Sequence, residues 1–446
     1  MPASPDSGKI VHGEAALLRA VGAFALAAAV LNIIIGGGIF RMPAKLAADL
    51  GDAAPLALVA GALAIVPVAL CFAAIGSRAS ATGGPYTYAA VAFGPFVGFI
   101  AGALIWIGNV SSSAGVAAAF ADQVANLVPA LAGKGTRIVL LTALYLAVFG
   151  LNAFGVKLGA RAVATLAAVK LTPLFLLVVC GIWLVDWNQV SFLPGEAFSL
   201  RALGTSMALV MFAYSGMETA LMPSGEVSDP SKSVPRATLV AIALVVLLYM
   251  GLQIVGQGLL GSAALGASKV PVAAAAAVLW APARSLLLAT ACVSMAGFVL
   301  GNLLASSRML FALGRDGYLP ALFARVSPKY RVPVLALLVH AGLAWMLALG
   351  GSFDTLALVS GGATCMVYLL VSAAAWIAQK RGIREQGEPF NLPGGIVIPL
   401  ISVLAMIAVV ITLSAEERNA ILIALAALVA LYGVLRLVGG RVKLPE

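Results

Sequence analysis

Apolar residues run through this chain in long unbroken stretches separated by short polar segments, rather than alternating or recurring at helical spacing. Such stretches lie at 21–46, 54–77, 86–121, 137–154, 161–185, 203–223, 236–262, 280–311, 333–350, 355–379, 396–414 and 419–438. A bilayer core about 30 Å thick is crossed by about 20 apolar helical residues rising 1.5 Å each. Each stretch therefore predicts a membrane-spanning helix, twelve in all. Continuous apolarity excludes a transmembrane β-barrel, whose strands alternate lipid-facing and lumen-facing residues. The expected fold class is an all-α integral membrane protein.

Composition sharpens this. Of 446 residues, 62% are hydrophobic and 10% charged, against about 25% charged in a soluble domain; mean hydropathy is +1.07. An ordinary soluble enzyme is excluded. The net charge of +10 is dispersed over short loops with no basic, aromatic-interleaved face, so nucleic acid is not an expected partner. Topology explains it better. With both termini cytoplasmic, 18 of the 27 Lys and Arg fall on inner segments, 8 on outer ones, and Lys170 inside the membrane. That asymmetry follows the positive-inside rule and predicts a multi-pass cell-membrane protein. Residues 1–20 and 439–446 then form cytoplasmic tails, and the first apolar run lacks a cleavage pattern and is retained. Cys71, Cys180, Cys292 and Cys365 all lie in apolar segments without metal-ligand spacing, and are read as small core residues. No metal or cofactor is expected.

Two spans are interrupted. In the first, Ile33-Ile34-Ile35 leads into Gly36-Gly37-Gly38, and each glycine costs a helix about 1 kcal/mol relative to alanine. In the sixth, Phe212-Ala213-Tyr214-Ser215-Gly216-Met217-Glu218 places Ser-Gly and then a carboxylate at lipid depth, where a charge faces a cavity or a partner. Paired interruptions in spans one and six, corresponding positions of two halves, point to a transporter site. The amides opened at such a break attract an anion, and the opened carbonyls attract a cation. A substrate carrying both groups is an amino acid. Close packing of the glycines against another helix is the competing reading, although packing motifs space glycines four apart.

These and other segments resemble the amino acid–polyamine–organocation permeases of bacterial type. Gly36-Gly37-Gly38-Ile39-Phe40 is similar to the family's G-S-G-I-F, Gly83-Gly84-Pro85-Tyr86-Thr87-Tyr88 to G-G-x-Y-x-Y, and Phe212 to Glu218 to F-x-Y-x-G-x-E. Gly225-Glu226 through Pro235-Arg236-Ala237, and Ser307-Arg308 through Gly314-Arg315-Asp316-Gly317-Tyr318-Leu319-Pro320, resemble its remaining signatures in the right order. The resemblance implies a leucine-transporter fold with two inverted five-helix repeats, 21–185 and 203–379, followed by helices 11 and 12 at 396–438. Helices 1 and 6 would be discontinuous around the site of an alternating-access carrier.

The same resemblance implies roles. Amides of Gly36, Gly37 and Gly38 would hold the substrate carboxylate, and carbonyls near Ile34, Ile35, Phe212, Ala213 and Ser215 its ammonium. Phe212 aligns with the aromatic gate. Gly37 stands where serine is common, so one hydroxyl donor is missing. Asn109, Ser113 and Asn302 fall at pocket positions, a small polar wall suiting small neutral amino acids; interhelical hydrogen bonding is their competing role. Lys170, about nine residues into the fifth span, aligns with a lysine that replaces sodium and bridges helices one and eight; it either cycles a proton or braces helices permanently. Glu218 is either a proton-sensing carboxylate or a cap on the broken helix. Glu226 and Arg236 are expected to pair at the cytoplasmic loop, and His340 to be a satisfied core histidine.

No nucleophile triad, zinc motif, phosphate loop or symmetric pore filter is visible. A secondary carrier of amino acids, proton-coupled or exchanging, is expected, with a polyamine or organocation carrier and a substrate sensor on a transporter fold as alternatives. Its partners would be substrate, protons and lipid. The outer loop from Asp122 to Arg137 has no cysteine for an ancillary subunit, so a monomer or homodimer is expected.

Overall fold

The computed structural model describes residues 21–154, 156–194, 199–385, 387–413 and 415–439; the expectations for both tails lie outside them. Among the described residues the chain is helical, with one isolated bridge joining Val21 and Val227. In order the α-helices are α1 (Ala23–Ile34), α2 (Met42–Leu50), α3 (Ala54–Gly76), α4 (Pro85–Phe93), α5 (Pro95–Leu127), α6 (Lys134–Ala153), α7 (Val156–Gly181) and α8 (Leu200–Tyr214). There follow α9 (Met217–Ala220), α10 (Pro230–Leu260), α11 (Ser262–Ala267), α12 (Pro271–Leu279), α13 (Ala283–Arg315), α14 (Val334–Gly350), α15 (Phe353–Lys380), α16 (Val397–Thr412) and α17 (Ala415–Gly439).

Seven helices among the described residues are long and apolar enough to cross a membrane, and four shorter apolar ones accompany them. Their outward faces are greasy: Phe24, Trp183 and Leu437 are 85%, 84% and 88% exposed. Apolar surface on that scale belongs in hydrocarbon rather than water. The protein is a multi-pass membrane protein.

Two expected boundaries change. The stretch 86–121 is two helices, because Gly94 turns the chain at φ 89° and Pro95 begins α5; proline at a first helical position gives up an amide that had no partner there. The region 262–280, expected as a loop, holds α11 and α12, both shorter than any membrane span. The first and sixth stretches are each broken, at the positions where the sequence predicts interruptions. The 12 residues of α1 rise only about 18 Å, and α1 is joined to α2 by an irregular link that ends in one 3-10 turn at Gly38–Phe40. Helix α8 likewise ends at Tyr214 and resumes as α9.

These broken elements occupy the centre. Helix α1 packs against α7, α9, α10 and α13, while α5 lies between α13 and α15. Of the cysteines, Cys71 and Cys365 are buried as expected, whereas Cys180 is exposed and Cys292 half-buried.

Candidate functional site

At the first break the polypeptide makes a tight reversal. Ile35 adopts φ −80°, ψ 69°, the centre of an inverse γ-turn, and the Gly36 amide donates to Ile34 O at 2.8 Å. The amides of Gly37 and Gly38 donate to no protein acceptor among the described residues. Buried amides without partners are rare, and both glycines line a central cavity. Of the expected amide triplet, then, two are open and that of Gly36 is consumed locally.

The carbonyls are divided in a similar way. Lys170 Nζ, fully buried, donates to Asn32 O at 2.7 Å and Ile35 O at 2.5 Å. Ser294 of α13 donates to Ile35 O at 2.7 Å and Gly36 O at 3.0 Å, and Tyr249 to Ile34 O at 3.0 Å. Ile33 O accepts nothing among the described residues. The helix-eight side of the expected bridge is thus supplied by Ser294, which meets Lys170 at a shared carbonyl. Ile35 lies behind the cavity with its carbonyl committed.

The second break needs Gly216, at φ 134°. Its amide donates to Glu218 Oε2 at 2.9 Å, and Tyr368 of α15 donates to the same oxygen at 2.5 Å. Glu218 therefore holds the helix restart in the manner of a cap. Ser215 donates to Phe212 O at 2.7 Å, while the carbonyls of Ala213 and Tyr214 accept no hydrogen bond among the described residues.

Both breaks face one cavity, with room for water centres of about 20 Å³, space for one or two waters. Ile34, Gly36, Gly37, Gly38, Asn109, Phe212, Ala213, Ser215, Glu218 and Asn302 from the sequence analysis line it. Ser113 does not; it meets Tyr145 at 3.1 Å, and its neighbour Ser112 lines the cavity instead. Thr219, Phe298 and Ser360 also line it and were not foreseen. Only Thr219, next to Glu218 in the sixth-span signature, carried a readable signal.

Contacts flank the cavity on two sides. On one, Phe212 meets Phe353 with ring centres 6.0 Å apart, and the Arg41 guanidinium sits 5.2 Å over the Phe353 ring. Asp122 ties Arg41 at 3.5 Å to Arg137 at 2.5 Å. On the other, the wholly buried Arg308 pairs with Glu226 at 2.9 Å. This corrects the expected Glu226–Arg236 pair, since Arg236 is exposed. A buried guanidinium needs a carboxylate far more than an exposed one does.

Two interrupted helices thus meet around one small cavity of mixed polar and apolar lining within a helical membrane fold. The sequence model for amino acid permeases matches residues 21–435. A methylthioribose transporter of Bacillus subtilis is 29% identical over 409 residues, 86% of each chain. A serine/threonine exchanger from the same organism is 28% identical, covering 91% of this chain and 94% of the relative. Its branched-chain amino acid permease is 26% identical, with 90% and 89% covered. Matched by the family model along nearly its whole length, and similar to membrane carriers, the chain belongs to the amino acid permease family.

Proposed function

We propose that this protein is a secondary active transporter of small neutral amino acids, working by alternating access and coupled to protons through Lys170 and Glu218. In this reading 21–185 and 203–379 are inverted five-helix repeats of leucine-transporter type, and 396–438 completes twelve spans. Both termini are cytoplasmic, with Arg41 outside and Arg308 inside. The observation that carries the reading is the pair of helix breaks on one cavity. Open amides at Gly37 and Gly38 suit a carboxylate, and open carbonyls at Ile33 and Ala213 suit an ammonium. Neutral side chains are favoured because Glu218 is the one acidic or basic residue lining the cavity among those described, and its Oε2 is taken by Gly216 and Tyr368. The relatives named for serine, threonine and branched-chain amino acids agree with this.

Exchange without proton coupling is the second reading, favoured by the fixed protein partners of both Lys170 and Glu218. Uptake of a radiolabelled amino acid panel into proteoliposomes separates the two. Accumulation into empty vesicles driven by an inward proton gradient supports symport, and uptake confined to preloaded vesicles supports exchange. No uptake of any amino acid under either condition overturns both. Lys170→Ala is expected to abolish proton dependence while retaining some binding; undiminished proton-driven uptake removes Lys170 from the coupling.

A further inference from the structure

His340 lies on α14, fully buried and outside the cavity lining. Its Nε2 is 3.1 Å from Asn302 Oδ1, and its Nδ1 has no partner. Leaving a lone pair bare is less costly than leaving an N–H bare, so the ring proton belongs on Nε2, where it donates to Asn302. This orients the Asn302 amide: Oδ1 accepts from His340, and from Ser306 at 3.4 Å. The remaining hydrogen bonds run consistently with it. Asn109 Nδ2 donates to Ser306 Oγ at 2.9 Å, and Thr219 donates to Asn109 Oδ1 at 2.9 Å.

Counting donors along this chain of side chains shows what it leaves for a ligand. Asn109 gives its two amide hydrogens to Ser306 and to Met222 Sδ, and its oxygen is taken by Thr219. Asn302 Nδ2 also has two hydrogens to give, and its protein acceptor among the described residues is Ser112 Oγ at 3.5 Å, a weak contact. Its carbonyl oxygen is engaged by both His340 and Ser306. Asn302, which lines the cavity, thus has a donor to spare and an oxygen already taken.

We infer that His340 is a positioning residue for substrate selection: by holding Asn302 Oδ1, it turns the Asn302 amide donor toward substrate and selects side chains that end in a hydrogen-bond acceptor. The selected class, resting on the neutral amino acid reading, is the hydroxylated and amide-bearing members over apolar isosteres. Threonine and valine, nearly identical in shape, test the point. One neutral hydrogen bond is worth about three- to tenfold in kcat/KM.

The experiment measures threonine and valine kcat/KM in proteoliposomes for the full-length protein, His340→Phe and His340→Gln. The wild type is expected to favour threonine about three- to tenfold. His340→Phe removes the donor and is expected to level the ratio by raising KM for threonine, with valine uptake retained. His340→Gln restores a donor and is expected to restore the ratio. Asn302→Leu reaches the same wall without changing His340 and is expected to level the ratio as well, so the test survives a misfolded Phe variant. A wild-type ratio near one, or a ratio unmoved in His340→Phe and Asn302→Leu while both amino acids are carried, overturns the inference and leaves the transport reading standing. Wild-type protein that carries no amino acid overturns both.

Discussion

The glycines at the two breaks are not equivalent. A Cβ on Gly36 would lie 2.8 Å from the Phe298 ring, whereas one on Gly37 would meet Phe353, Met295 and Val116 no closer than 3.5 Å. Gly216 is the most constrained: its φ of 134° is rarely open to L side chains, and a Cβ would come within 2.9 Å of the Ile34 backbone. Gly216→Ala is therefore expected to lower transport by about five- to 150-fold, from strain of about 1–3 kcal/mol at the helix restart. Gly37→Ser is expected to keep a folded, active carrier and to lower KM, because its hydroxyl adds a donor beside the open amides. Initial uptake rates of the two variants measured side by side check this pair, and an inactive Gly37→Ser or a fully active Gly216→Ala contradicts it. The triplet Gly36-Gly37-Gly38 reads as uniform in sequence. Its members separate only when Phe298, distant along the chain, arrives beside one of them.

At the scale of elements, Arg308 of α13 and Glu226 in the segment after α9 form an ion pair buried on both sides. Arg308 also donates to Leu304 O at 3.1 Å and Ser307 Oγ at 3.0 Å, so its side chain is held in place. Arg308→Ala leaves the Glu226 carboxylate buried without its guanidinium and is expected to cost about 3–5 kcal/mol. Arg236→Ala, at an exposed position, is expected to be neutral within about 0.5 kcal/mol. Thermal unfolding in detergent compares them, and equal shifts for the two variants would falsify this assignment. Sequence placed Glu226 near a basic residue but chose the nearby one, since burial of Arg308 is a property of the assembled helices. The α4–α5 division was readable: Gly94-Pro95 combines a helix stop with a helix start.

For the whole molecule, the cavity has room for only one or two waters, and contacts flank it on two sides. An amino acid requires a wider state, and the closures are the contacts that must part. Asp122 links Arg41 to Arg137, and Arg41 reaches Phe353, so Asp122→Ala is expected to favour the state open on the Arg41 face. A Gly37→Cys reporter is then expected to react severalfold faster with an impermeant thiol reagent added from that face. An unchanged rate means that Asp122 does not hold the closure. These pairs are partly exposed, and each contributes about 0–1 kcal/mol, enough to bias two states of similar energy and too little to lock one.

What the sequence determined by itself is the part of this protein that depends on solvent and on local backbone chemistry. Long apolar runs demand a helical membrane protein because hydrocarbon leaves no other way to satisfy the backbone. Glycine clusters and a buried-depth carboxylate mark where helices must break, and nearly every cavity-lining break residue follows from that. Tertiary structure decided which of the opened groups remain open. Gly36 N and Ile35 O were equal candidates with their neighbours until Ile34, Lys170 and Ser294 claimed them. It also exchanged Ser113 for Ser112 and connected His340 to Asn302. The reason is that hydrogen-bond partnership in a buried cavity is settled by helix rotation and crossing, through residues more than a hundred positions apart in several of these contacts.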